Sequence, residues 1–77
     1  MPREVLGRAF TDRPGVWRWE AVGVLLEVTE SSAMVDGRGY WWDLYVLKGA
    51  RWVHEMGRAP HFIVAVQCAM GAEEKMR

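Results

Sequence analysis

The side chains that could do acid–base or metal chemistry in this 77-residue chain are few: Asp43, His54 and His61. A carboxylate beside an imidazole can orient the ring's tautomer, which is the first requirement of a catalytic dyad. Nucleophilic catalysis needs a third group, and Thr11, Thr29, Ser31, Ser32 and Cys68 sit in no motif that ties them to that pair. His54-Glu55 lacks the second His four residues after the first that a helical zinc-protease motif requires, and His61 falls beyond a turn. One Cys and two His are a poor set for zinc. Gly37-Arg38-Gly39 is too short to cradle a phosphate and lacks the Lys-Ser/Thr of such loops. Catalysis, a metal and a cofactor are therefore not expected, and Asp43 with His54 reads as a cross-strand polar pair.

Those two residues must be positioned by a hairpin. Tyr40 to Leu47 (YWWDLYVL) is the clearest strand in the chain, and Ala50 to Glu55 (ARWVHE) reads as its partner across Lys48-Gly49. With Lys48-Gly49 as a two-residue turn, Tyr45 faces Trp52, Leu47 faces Ala50 and Asp43 faces His54. Side chains then sort into two faces. One carries Tyr40, Trp42, Leu44, Val46 and Val53; the other carries Trp41, Tyr45, Leu47, Trp52 and Met56 with the Asp43–His54 pair. A half-buried strand alternates apolar with polar, so a hairpin that is apolar on both sides needs cover on both.

Val22 to Val28 and Phe62 to Val66 can cover one face, and a chain this short is expected to leave part of the second as an exposed patch of the kind that marks an association surface. Residues 1–15 hold Pro2, Gly7, Pro14 and Gly15 among five charges and read as an irregular arm, with one helical turn around Arg3 to Leu6 and a turn at Asp12-Arg13-Pro14-Gly15. Val16 to Thr29 fits helix and strand periodicity alike; its valines, Thr29 and Gly23 favour a strand. Asp36-Gly37-Arg38-Gly39 is a turn signal, with Asp-Gly suited to a type I′ hairpin. After the turn at Gly57-Arg58-Ala59-Pro60, His61 to Ala69 (HFIVAVQCA) is β-branched enough to read as a strand, although a helix begun near Pro60 would place Phe62, Val66 and Ala69 on one face. Cys68 in that run reads as a small buried hydrophobe. The expected division is thus an arm at 1–15, one β-rich domain at 16–71 and a tail at 72–77.

Composition bounds the function. Ten Lys plus Arg against ten Asp plus Glu leave no net charge to attract phosphates from a distance. The five tryptophans lie near Arg18, Arg38, Arg51 and Arg58 and could stack bases, but Glu20, Asp43 and Glu55 stand among them, so a nucleic-acid partner is the second choice. A single Cys predicts a reducing, cytoplasmic setting, since small secreted domains rest on several disulfides. The opening residues lack a signal-peptide pattern, so no export is expected, and no apolar run approaches the roughly 20 residues of a membrane span. The Arg-rich, Lys-poor composition suits a phage, plasmid or other mobile-element product of a GC-rich host.

Short strands between Gly-rich turns predict a mainly β fold, an antiparallel sheet curled or closed to hide its edges, with α+β as the alternative if residues 17–29 or the C-terminal segment prove helical. GVLLEV, a long loop, YWWDLYVLKGARWVHEM and HFIVAV, spanning about residues 22–66, together resemble an SH3-like small β-barrel. The resemblance implies a binding module and no particular ligand; the acidic loop and Pro-x-x-Tyr of proline-peptide binders are missing. The expectation is a non-catalytic protein that binds a protein partner, most simply a second copy, through Trp41, Tyr45, Arg51, Trp52 and His54, with Trp17 and Trp19. An aromatic small-molecule pocket between subunits ranks third. The competing arrangement has Val5, Leu6 and Phe10 of the arm folded over the second face, leaving a monomer.

Overall fold

The computed structural model describes residues 3–34 and 37–76. Six strands, β1 (Arg3–Val5), β2 (Arg8–Arg13), β3 (Val16–Ala21), β4 (Val24–Met34), β5 (Gly37–Lys48) and β6 (Arg51–Ala59), are followed by one helix, α1 (Phe62–Met76). The strands form a single antiparallel sheet in sequence order, so each is paired with its neighbours in the chain. The mainly β fold expected from the sequence is present. The closed barrel is not: β1 and β6 are the two edges of an open sheet.

One face of the sheet holds the core. Val24, Leu26 and Val28 of β4 alternate with Leu25 and Glu27, and Trp42, Leu44 and Val46 of β5 alternate with Asp43 and Tyr45; the first set of each is buried. Phe10 and Trp17 join them from β2 and β3. Helix α1 closes this face with Phe62, Ala65, Val66, Ala69, Ala72 and Met76, a stripe at helical spacing whose three alanines allow close approach to the strands. Phe62 meets the rings of Phe10, Trp17 and Tyr40 edge-on, with centroids 5.0–5.9 Å away.

Segment 61–69, expected as a strand, is therefore helical, and the helix continues through most of the expected tail to Met76. β-Branching at Ile63, Val64 and Val66 is a weak preference, and burying a 3.6-period stripe outweighs it. Pro60 precedes the helix, where a missing N–H costs nothing, and the His61 carbonyl accepts the first helical bond from Ala65 N at 3.0 Å. Cys68 lies off the buried stripe and is exposed, against the expectation of a buried thiol.

The N-terminal residues are not an irregular arm. They form β1 and β2 around Leu6-Gly7, both at positive φ as a type I′ turn requires. Pro14-Gly15 turns the chain as expected. Segment 16–29 is two strands, parted at Val22-Gly23. Of the turn expected at 36–39, Asp36 lies outside the described residues, while Gly37 to Gly39 already belong to β5, with Gly39 paired to Ser31.

The β5–β6 hairpin turns at Gly49-Ala50, two residues out of register from the expected pairing, so that Lys48 faces Arg51 and Tyr45 faces His54. A Lys48-Gly49 type I′ turn would need positive φ at Lys48. The observed turn needs it at Gly49 alone, which takes +64° in the pattern of a type II′ turn. A shift of two keeps every side chain on its expected face and changes only its neighbour.

Candidate functional site

Among the described residues no helix lies on the second face of the sheet. Its rows, read across the register, place Arg18 beside Glu27 and Asp43, Thr29 beside Trp41 and Arg58, and Leu25 beside Tyr45 and His54, with Leu47 beside Trp52 at the hairpin end. Trp52, Met56 and Leu47 expose 57, 53 and 41% of their surfaces. The arm does not cover them: Phe10 is fully buried on the helix side and Val5 packs against the same core.

Asp43 and His54 meet here, although not as the directly opposed pair expected. His54 sits opposite Tyr45 and stacks on its ring, centroids 4.4 Å apart and planes 7° from parallel. From there Nε2 reaches diagonally across the strands to Asp43 Oδ1 at 2.8 Å. The carboxylate only accepts, so Nε2 carries the donated proton. The pair is partly open to water, and its role is to hold the imidazole flat against Tyr45, making one planar platform out of two strands. Arg58 lies over Trp41, its guanidinium carbon 5.3 Å from the ring centroid. Farther along, Arg18 joins Glu27 at 3.0 Å and Glu20 at 3.8 Å. Such exposed pairs contribute about 0.2–1 kcal/mol each, and their main effect is to cancel charge on the face.

The structure thus brings Trp41, Tyr45, Trp52 and His54 onto one surface. Trp17 and Trp19 point to the opposite side: Trp17 is in the core, and Trp19 packs against it under Arg8, whose guanidinium carbon is 3.9 Å from the ring centroid. Arg51 alternates to the helix-side face at the exposed hairpin end. Met56 lies on this surface as expected, and Arg58, which alternation from Trp52 would also have placed there, completes it. His61 lies in the link between β6 and α1, where its carbonyl accepts from Ala65 N, and takes no part in the Asp43–His54 bond.

Two cavities among the described residues have no aromatic residue in their lining. One of about 540 Å³ lies between the β1–β2 turn and α1, lined by Leu6, Arg8, Gln67, Met70 and Glu73 among others. Arg8 Nη1 and Glu73 Oε1 meet there at 2.8 Å as an ion pair without hydrogen-bond alignment. The other, about 360 Å³ on the uncovered face, is lined by Thr11, Arg13, Val16, Arg18, Glu20 and Glu27. Among the described residues no group of three or more His, Cys, Asp or Glu is arranged to hold a metal ion, and no helix is long and apolar enough to cross a membrane. Comparison with protein-family models, with curated proteins and with solved structures found no match.

Proposed function

We propose that this protein is a non-catalytic interaction module that binds protein through the uncovered aromatic face of β5 and β6. The observation that supports this is the exposure of Leu47, Trp52 and Met56, each at least 41% exposed, on either side of the Tyr45–His54 platform and near Trp41 under Arg58. Contiguous apolar surface rimmed by charge marks association surfaces, and Trp, Tyr and Arg are the side chains that dominate them energetically. A reducing, cytoplasmic setting suits this reading, since Cys68 is exposed and single. Origin in a phage, plasmid or other mobile element is supported by composition alone.

The nucleic-acid reading draws on Arg58 over Trp41, but Glu27 and Asp43 stand in neighbouring positions of the same face and oppose phosphate. Light scattering on the size-exclusion peak, with absorbance at 260 and 280 nm, tests both. The expected result is assembly free of nucleic acid, weakened by Trp52→Ala combined with Met56→Ala while far-UV circular dichroism stays native. Assembly indifferent to both truncations would overturn the proposal. Co-eluting nucleic acid lost steeply with salt would replace it.

A further inference from the structure

The geometry points to a second copy of this chain as the occupant, paired antiparallel along β6 in a register centred on Val53. This rests on the reading of β5–β6 as the binding region and adds its partner and its register.

The two edges of the sheet differ. β1 has three residues, too short to template another strand, whereas β6 has nine. Helix α1 shields only the C-terminal end of β6, where Ala59 is buried; residues 51–56 are exposed throughout. A two-residue hairpin turn makes Lys48 and Arg51 a hydrogen-bonded pair, so by alternation Val53 and Glu55 also bond inward to β5. The N–H and C=O groups of Trp52, His54 and Met56 consequently face outward, with no strand beside them.

Edges of this kind are normally guarded by charge. Here the charges do not guard against self-pairing. About Val53 the sequence Arg51-Trp52-Val53-His54-Glu55 is its own antiparallel complement: each Arg51 falls opposite the other copy's Glu55, Val53 faces Val53, and Trp52 faces His54. Trp52 and His54 exchange the main-chain hydrogen bonds, while the Arg51–Glu55 and Val53–Val53 positions are the non-bonded pairs whose side chains approach most closely. Arg51 has reason to accept this neighbour. It stands directly opposite Lys48, and among the described residues neither Arg51 nor Glu55 forms an ion pair. A register centred on Glu55 would use more of the strand but would set Glu55 against Glu55. The Val53 register also joins the aromatic rows, running Leu47, Trp52, then His54 and Tyr45 of the second copy across one continuous sheet.

The test is a charge swap. Arg51→Glu, Glu55→Arg and the double variant are compared with the wild-type chain by sedimentation over a wide concentration range, with circular dichroism as the check on folding. Each single change puts like charges together twice per dimer and is expected to weaken the dimer about tenfold; the double variant restores the pairing and the affinity. Amide exchange is read alongside. Trp52 and His54 should be protected at high concentration and exchange freely on dilution. A wild-type chain that stays monomeric overturns the inference. So does a dimer that ignores the swaps and leaves the Trp52 and His54 amides unprotected; if the Trp52 and Met56 truncations still weaken that dimer, assembly uses the aromatic face without the edge. A swap-sensitive dimer indifferent to those truncations means the reverse, edge pairing without the aromatic face.

Discussion

Gly57 is occupied by another residue's ring. Trp42 lies directly opposite it across β5 and β6, and a Cβ added at Gly57 would come within 2.6 Å of the indole. Gly57→Ala is therefore expected to cost about 1–3 kcal/mol by overpacking, seen as a lower urea midpoint, and the cost should shrink in a Trp42→Leu background where the ring is gone. Trp42 and Trp52 make a second contrast at this scale. Trp42 is 7% exposed under α1, so Trp42→Ala should cost about 3–5 kcal/mol, whereas Trp52→Ala should leave monomer stability within about 0.5 kcal/mol. Denaturant titration of both variants checks the pair. Alternation along YWWDLYVL already sends Trp41 and Trp42 to opposite faces. It carries no information on which face is covered, because that depends on where a distant segment docks.

Among the elements, the hairpin and the helix were legible to different degrees. The strands of the hairpin follow from β-branched and aromatic density, but the turn falls at Gly49-Ala50, one residue later than the expected Lys48-Gly49. Gly49 explains the outcome: a positive φ is tolerable at glycine and strained at Lys48, so the turn that asks it of glycine alone prevails. Gly49→Ala is expected to destabilise the hairpin by about 1–2 kcal/mol and to speed exchange of the Arg51 amide. Helix α1 read as a strand because Ile63, Val64 and Val66 are β-branched. Its deciding feature is the spacing of Phe62, Ala65, Val66, Ala69 and Ala72, which only matters once a sheet is present to receive it. Ala69 is fully buried at that contact, and Ala69→Leu should cost about 1–3 kcal/mol through forced separation of helix and sheet, measurable as a lower melting temperature.

The whole molecule is a sheet with one covered and one uncovered face, and α1 alone makes the difference. A chain ending at Pro60 would leave Leu26, Val28, Trp42 and Leu44 without their cover. It is expected to lose its cooperative thermal transition and the near-UV signal of its packed tryptophans, which a melt followed by circular dichroism would reveal. The sequence by itself determined the mainly β composition of the fold, the alternation that splits the hairpin into two apolar faces and the meeting of Asp43 with His54, because these depend on neighbours close along the chain and on a period of two. Tertiary structure alone decided that the sheet stays open, that Phe10 and Val5 pack under the helix and not over Trp52, and that Trp17 and Trp19 lie on the side away from Trp41. Each of those outcomes turns on which apolar stripe covers which face. That is a competition between segments far apart in sequence, settled by total buried area and fit, quantities that no local pattern contains.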